Sequence, residues 1–406
     1  MSIYFPRASL IGLMEYRTLF WSLFCYRYVR LMVNCIAVLL YKPIPLPEYP
    51  SFTSRDVTVI VPTLEGHGEQ FMETLKTICT AKPHEIISTV DENRKKAEET
   101  ANCIREFAID EVDIERTAII ILADDDDDVQ WPPNPFPSFL APFQDLKMGR
   151  VATRQCLLRT DNLGIFKRVF EFLGAHYLEQ RNFDCTATMF MDGGVPCLSG
   201  RTLILRTMMV KDTAFRRYFL NEEWFWMPLS ADDDTSVTRW IINHGWNMYF
   251  QNLPGEEVKT TLESDLKFLE QCIRWSRSNW RSNLRSLLEQ ATWRRYPWST
   301  YAASLSTPTQ LTIVTEPLLI WLCHKMTEVD AMLHLRSIMQ LLGFIASTKF
   351  IKLVGWLLSA TSLGPYPVVC VYLLWLLPWF DQDILPIYSQ QHGPIESADI
   401  KKRSAI

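Results

Sequence analysis

A short apolar segment that runs into a series of aspartates constrains the fold of this chain more than any other feature. The segment is IIILA at residues 119–123, and five consecutive aspartates follow it at residues 124–128. A short, uninterrupted apolar run predicts a buried strand. Alternate side chains of an extended segment project to one side, so Asp126 and Asp128 would face the same point beyond that strand. The carboxyl ends of strands are where open α/β sheets bind their ligands.

The aspartate run is compatible with two interpretations. Five adjacent carboxylates repel one another, so either water or a bound cation must stabilise them. A solvated acidic loop and a divalent-cation site therefore both stay open. An EF-hand is excluded, because counting from Asp124 places Val129 where the loop needs glycine and Pro135 where it needs glutamate.

The segments before the aspartate run alternate between two kinds of pattern. In chain order they are a buried strand at 56–63, a helix at 71–81, a buried strand at 85–91 and a helix at 94–107. This alternation predicts an α/β fold with a mostly parallel sheet and right-handed crossovers. Thr63 and Asp91 would then lie at the same edge of the sheet as the aspartates.

Composition and missing motifs exclude several classes of function. The net charge of −5 provides no basic surface for nucleic acid. The ten cysteines include no Cys-x-x-Cys pair, which argues against a zinc site and a disulfide framework and fits a reducing compartment. Zincin, Rossmann dinucleotide and P-loop motifs do not occur in the sequence.

Apolar residues are concentrated at both ends of the chain. Residues 19–41 include Arg27 and Arg30, and they predict either a span with snorkelling arginines or a helix on the membrane surface. We favour an embedded helix over the core helix of a soluble protein. Residues 311–380 contain two or three further candidate spans, and the basic residues 401–403 would lie on the cytoplasmic side.

Two polar loops occur later in the sequence. Residues 192–202 are rich in turn-forming residues and precede a predicted helix that begins at Leu203. Residues 231–235 contain three aspartates and precede a second predicted helix, which ends near Gly245. Taken alone, the aspartates of this cluster are predicted to cap the helix, because they satisfy free backbone N–H groups and complement the helix dipole.

A strongly helical segment follows these loops. Gln271, Arg274 and Trp275 are spaced i, i+3 and i+4, so they share one face of the predicted helix. A basic stripe continues at steps of four residues through Arg277, Arg281 and Arg285. This stripe is predicted to face solvent or lipid headgroups.

Taken in order, these segments resemble those of processive family 2 glycosyltransferases, the membrane-embedded hyaluronan, chitin and cellulose synthases. The similarity is greatest to a fungal polysaccharide-synthase branch and covers roughly residues 40–300, with characteristic segments at 197–202, 231–239 and 271–283. The resemblance implies a GT-A-type α/β domain flanked by N-terminal and C-terminal membrane helices. It also implies an integral, multi-pass protein of the plasma membrane whose catalytic domain is cytosolic.

The resemblance implies a role for each residue at the sheet edge. Thr63 and Asp91 would contact the uridine of a UDP-sugar. Asp126 and Asp128 match the DxD pair that holds Mg²⁺ or Mn²⁺ against the diphosphate, so Asp126 would contribute to both cofactor and metal binding.

The resemblance also implies which residues carry out the transfer. Asp234 would be the general base, with Asp233 as the alternative because the local motif reads ADDD. Gln271, Arg274 and Trp275 match the QxxRW motif, which lines the acceptor site and the leaving diphosphate.

The predicted function is inverting transfer of a sugar from a UDP-sugar to a growing polysaccharide. The predicted partners are a glycan acceptor and membrane lipids, and nucleic acid is not expected to bind. Two alternatives stay open. A lipid glycosyltransferase of the ceramide-glucosyltransferase type shares the DxD pair and a similar RW motif. A catalytically silent membrane scaffold is suggested by the region after Leu353, which has no Trp-Gly-x-Arg-like gating segment.

The chain is predicted to have five parts. They are a membrane helix with a proline-rich linker at 1–50, a GT-A catalytic domain at 51–262, QxxRW and interfacial helices at 263–310, a transmembrane region at 311–380 and a polar tail at 381–406.

Overall fold

The computed structural model describes most of the chain between Arg7 and Ile351. The described residues are 7–63, 69–90, 118–123, 129–158, 164–195, 198, 201–221, 223–224, 227–228, 233–262, 265–304, 312–327 and 331–351. The aspartates at 124–128, the predicted helix at 94–107 and the predicted span after residue 352 lie outside these ranges.

The helices and strands are numbered in chain order. The α-helices are α1 Arg7–Leu40, α2 Glu69–Ala81, α3 Phe136–Leu140, α4 Ile165–Asp192, α5 Thr207–Val210, α6 Thr213–Leu220, α7 Asp233–Asn243, α8 Lys267–Leu288, α9 Gln290–Arg295, α10 Pro297–Ser304, α11 Thr312–Thr327 and α12 Ala331–Ile351. The strands are β1 Val57–Thr63, β2 Glu85–Val90, β3 Ile119–Ala123, β4 Val129–Gln130, β5 Met148–Thr153, β6 Gln155–Leu157, β7 Thr202–Arg206, β8 Glu223–Trp224, β9 Met227–Pro228, β10 Asn247–Gln251 and β11 Val258–Thr260.

A six-stranded sheet with the order β10-β5-β7-β3-β1-β2 forms the centre of the domain. β1 is parallel to β2 and β3, and β10 is parallel to β5. β7 is antiparallel to both of its neighbours, β3 and β5. The prediction of an α/β fold with a mostly parallel sheet is therefore confirmed, and the predicted strands β1, β2 and β3 are all present.

The apolar segments that predicted the strands form the core of this sheet. On β1 and β3 the fully buried apolar side chains alternate along each strand: Val57, Val59, Val61, Ile119 and Ile121. Helix α2 buries Phe71, Leu75 and Ile78 against the same cluster, at the spacing of one helical face. Burying each such side chain stabilises the fold by about 1.5–3 kcal/mol.

The prediction of a helix that begins at Leu203 is wrong. Residues Thr202–Arg206 form β7, in which every side chain is buried. The sequence TLILR is short and apolar, so its pattern alone does not distinguish a strand from a buried helix. Hydrogen bonding to β3 on one side and β5 on the other decides in favour of the strand, and helix begins only at Thr207.

Helix α1 is long and apolar enough to cross a membrane between Met14 and Leu40, and no other helix in the described ranges meets that criterion. The predicted snorkelling of its two arginines is wrong. Arg27 lies 3.3 Å from Glu316 of α11, and Arg30 lies 3.3 Å from Asp184 of α4. Both guanidinium groups are buried, because carboxylates on the neighbouring helices neutralise them.

The C-terminal part of the described chain also packs on α1. The apolar side chains of this cluster are Phe20 and Tyr28 from α1, Leu319, Leu322 and Cys323 from α11, and Leu341 and Ile345 from α12. Helices α11 and α12 lie within residues 311–380, the region for which two or three spans were predicted. The multi-pass arrangement and the five predicted parts of the chain stay predictions.

The turn after α4 requires glycine at two positions for different reasons. Gly193 has a φ of 74°, the left-handed conformation that ends the helix. Gly194 has ordinary backbone geometry, but a Cβ there would lie 2.6 Å from Ser299 Oγ and 2.7 Å from Tyr296 Cγ. Asp192 fixes α10 at this close approach, because its carboxylate accepts hydrogen bonds from the backbone N–H and hydroxyl of Ser299.

We expect Gly194→Ala to destabilise the domain by about 1–3 kcal/mol, because the added methyl group would overpack the contact between α4 and α10. Gly164→Ala is the matched control, since a Cβ at Gly164 meets no atom within 4 Å. Thermal unfolding of both purified variants checks the prediction. Equal melting temperatures for the two variants would contradict it.

Candidate active site

Two arginines hold the carboxylate of Asp234 in the first turn of α7. Its Oδ1 lies 3.4 Å from Nη2 of Arg150, and its Oδ2 lies 3.9 Å from Nη2 of Arg181. Arg150 is completely buried and also donates to the Asp234 carbonyl at 2.6 Å, the Thr238 hydroxyl at 3.0 Å and the Leu198 carbonyl at 2.9 Å. This network fixes both the carboxylate and the start of the helix that carries it.

The helix predicted after the aspartates at residues 231–235 is present as α7. It begins at Asp233 and ends at Asn243, and Gly245 follows with a φ of 78°. The side chain of Asp233 lies outside the described residues, as does Asp232. The assignment of the base to Asp234 or Asp233 therefore stays a prediction, and the geometry described here is that of Asp234.

The QxxRW residues lie on α8, as predicted. The ring of Trp275 stacks on the ring of Tyr177, with centroids 4.9 Å apart and planes inclined by 17°. The guanidinium carbon of Arg201 lies 5.6 Å from the centroid of the Trp275 ring. Gln271 is half-buried and Arg274 is exposed, so the arginine of the motif is accessible to a ligand.

Helix α4 connects this tryptophan to the aspartate. Tyr177 and Arg181 are four residues apart on α4, so they are neighbours on one face of that helix. Tyr177 contacts Trp275, and Arg181 lies beside Asp234. The candidate base and the QxxRW tryptophan thus contact residues on adjacent turns of one helix face, which are about 6 Å apart along the axis of α4.

The predicted donor-binding residues lie at or beyond the carboxyl ends of the strands. Thr63 is the last residue of β1, next to the end of β2, and Asp91 follows β2 outside the described residues. Asp126 and Asp128 also lie outside them, and β3 ends at Ala123, just before the aspartate run. The roles of these four polar residues stay predictions.

The predicted metal site depends on the aspartates after β3. Within the described residues, no group of three His, Cys, Asp or Glu side chains forms a metal site. Asp126 and Asp128 would supply hard carboxylate oxygens, which suit Mg²⁺ or Mn²⁺. Their donor chemistry therefore fits the predicted ion.

Two cysteines, one beside Gln271 on α8 and one on β6, are unsuited to nucleophilic chemistry. Burial raises the pKa of the Cys272 thiol to about 12. Burial also raises the pKa of Cys156 to about 11, although Arg154 opposes the shift. Because the thiolate is the reactive form, both thiols are neutral and inert near pH 7.

Four residues of this arrangement were not predicted from the sequence: Arg150, Tyr177, Arg181 and Arg201. The sequence does contain a signal for Arg150, because it is the charged residue of the short, otherwise uncharged strand β5. Every residue of β5 is buried, and a charge in a buried strand needs a partner. Arg201 lies within the characteristic segment 197–202. Tyr177 and Arg181 have no comparable signal, because their contacts form between elements far apart in the chain.

Sequence comparison identifies the family. The profile described as "Glycosyltransferase like family 2" matches residues 54–278, which include both Asp234 and Trp275. The chain belongs to glycosyltransferase family 2. It is therefore a glycosyltransferase, and its α/β domain is GT-A-like.

Individual relatives agree with this family. A "Type 2 glycosyltransferase" of Pyricularia oryzae is 40% identical over 83% of this chain and 73% of that protein. Another, from Zymoseptoria tritici, is 38% identical over 87% of this chain and 77% of that protein. A solved mannosyltransferase, PcManGT from Pyrobaculum calidifontis in complex with GDP-Man and Mn²⁺, has a TM-score of 0.44 at 13% identity, covering 89% of this chain and 97% of that one. The narrower prediction of a processive polysaccharide synthase stays a prediction.

We expect Arg150→Lys to lower the transfer rate of this glycosyltransferase at least tenfold. A lysine keeps the charge but lacks the planar fork that bridges Asp234 to its surroundings. Arg206→Lys is the matched control, since Arg206 is also buried and, within the described part of the chain, donates to the backbone carbonyls of Met148, Phe143 and Asp145.

Steady-state rates below the melting temperature of either variant test this expectation. The Arg206→Lys rate should stay within about twofold of wild type. An equal loss in both variants would show that Arg150 acts on the fold alone.

Proposed function

We propose that this glycosyltransferase is a membrane-bound, inverting enzyme that transfers a sugar from a UDP-sugar to a growing polysaccharide. The observation that carries the proposal is the Asp234 carboxylate, held by Arg150 and Arg181 one helical turn from the Trp275–Tyr177 stack. A fixed carboxylate beside an aromatic surface is the arrangement that can orient an acceptor hydroxyl and remove its proton.

In the proposed reaction, Asp234 accepts the proton of the acceptor hydroxyl while that oxygen attacks the anomeric carbon of the donor. The bond from the anomeric carbon to the diphosphate oxygen breaks on the opposite side, and its electron pair leaves with UDP. One displacement inverts the anomeric configuration. General-base assistance of this kind typically contributes a factor of about 10²–10⁴ in rate.

The leaving diphosphate needs positive charge near it. Arg274 is exposed on α8 and would pair with phosphate oxygens, and Thr63 and Asp91 would hold the uridine. A divalent cation held by Asp126 and Asp128 would neutralise charge on the diphosphate.

We propose that α1 attaches the protein to the membrane. Its apolar side chains are largely exposed within the chain, including Leu39 at 84%, Met32 at 60% and Ile36 at 57%. An apolar surface of this kind on a helix long enough to span is suited to lipid. The catalytic domain, joined at the end of α1, would lie on the cytosolic side.

Purified protein supplied with UDP-GlcNAc, UDP-Glc, UDP-GlcA and UDP-Gal tests the proposed function by UDP release. We expect Asp234→Asn to bind UDP normally but to lose about two to four orders of magnitude in turnover, because the amide cannot accept a proton. Asp232→Asn changes a neighbouring aspartate of the same cluster and is the control; its turnover should fall only slightly.

The outcomes of this assay separate the alternatives. A chloroform-soluble product would identify a lipid glycosyltransferase, and absence of turnover with all four donors would contradict the proposed function. Loss of turnover in Asp233→Asn, with a normal rate in Asp234→Asn, would assign the role of base to Asp233 instead.

The metal site has its own test. We expect Asp128→Asn to abolish Mn²⁺-dependent UDP binding while the melting temperature stays the same or rises, because removing one charge reduces repulsion within the aspartate run. Calorimetric titration of UDP, with and without Mn²⁺, measures the effect. Wild-type UDP affinity that is unchanged by a chelator would contradict the assignment.

A further inference from the structure

One face of α4 carries contacts to three different parts of the molecule. Tyr177, Arg181 and Asp184 are spaced i, i+4 and i+7, so they form a single stripe along the helix. The first two contact Trp275 and Asp234. The third contacts α1, the helix that is long and apolar enough to span a membrane.

The contact between α1 and Asp184 is polar, directional and buried. Arg30 Nη2 lies 3.3 Å from one carboxylate oxygen of Asp184, and Asn34 donates to the other at 3.2 Å. The Asn34 side chain is itself fixed, because its oxygen accepts from the indole N–H of Trp298 at 3.2 Å. Arg30 and Asn34 are 8% and 1% exposed, so water has little access to either donor.

We propose that Arg30 and Asn34 are positioning residues for sugar transfer: by binding Asp184 they fix the rotation and height of α4, which places Arg181 and Tyr177 against Asp234 and Trp275. This inference rests on the proposed role of Asp234 in the transfer. It gives α1 a part in the active site in addition to membrane attachment.

The physical reason lies in the difference between apolar and polar helix contacts. Apolar side chains can slide past one another at little cost, whereas a buried ion pair is favourable in one register, and fixing register is the best-attested use of such pairs. Asp184 is less than one turn from Arg181, so a shift of α4 at α1 is transmitted directly to the site. A displacement of about 1 Å at a catalytic group can lower a rate about 100-fold.

The chain offers a closely matched control on the same helix. Arg27 and Glu316 form a second ion pair at 3.3 Å, with side chains 10% and 9% exposed, compared with 9% and 18% for Arg30 and Asp184. This second pair joins α1 to α11 and does not involve α4. Both pairs should contribute similarly to stability, but only the pair with Asp184 should affect the site.

The experiment compares Arg30→Gln with Arg27→Gln in the full chain reconstituted in lipid nanodiscs. UDP release is measured with whichever of UDP-GlcNAc, UDP-Glc, UDP-GlcA and UDP-Gal supports the fastest wild-type rate. We expect similar decreases in melting temperature, but a fall of roughly tenfold to 100-fold in kcat for Arg30→Gln alone. Its KM for the donor should stay within about twofold of wild type, and Arg30→Lys should restore most of kcat because it retains the charge.

Hydrogen exchange gives a second readout that needs no turnover. Amides of α4 near Asp184 and of the first turn of α7 should exchange faster in Arg30→Gln than in Arg27→Gln. Equal exchange in the two variants, or equal loss of kcat, would overturn the inference. Absence of wild-type turnover would instead contradict the proposed function, while the exchange comparison would still decide the role of Arg30.

Discussion

The ion pair between Arg150 and Asp234 is the interaction on which the rest of this structure depends. A guanidinium group with no exposed surface in the central sheet is costly to desolvate unless its donors are satisfied. Asp234, Thr238 and Leu198 accept hydrogen bonds from its two terminal nitrogens, so β5, α7 and the segment before β7 are joined at one point. The contact that compensates the buried charge is also the one that holds the candidate base.

Helix α4 extends this arrangement outward from the sheet. Its Arg181 contacts the candidate base and its Tyr177 contacts the tryptophan of α8, and further along it meets α1 and the turn at Gly194. Elements that are separate in sequence therefore share one rigid support. A long helix that contacts α1, α7 and α8 constrains the position of each relative to the others.

Much of the fold could be predicted from local patterns. The apolar runs at β1, β2 and β3 and the helical spacing of α2, α7 and α8 each depend on residues within one segment, and all are present. The strand Thr202–Arg206 was missed because its pairing partners, not its own sequence, determine its conformation. The QxxRW and aspartate motifs were found by their order, whereas Arg150 bonds to a residue 84 positions away. Arg27 and Arg30 were misinterpreted for the same reason, since their carboxylate partners lie on distant helices.

We propose that sugar transfer proceeds by one inverting displacement at the anomeric carbon. The stereochemistry of the first product measures this directly, because UDP-α-D-sugars enter with a defined anomeric configuration. NMR of the anomeric proton in a product formed from UDP-α-D-glucose or UDP-α-D-N-acetylglucosamine reports the configuration of the new bond. We expect a β-linked product, shown by the large anomeric coupling of an axial proton. An α-linked product would rule out a single inverting displacement.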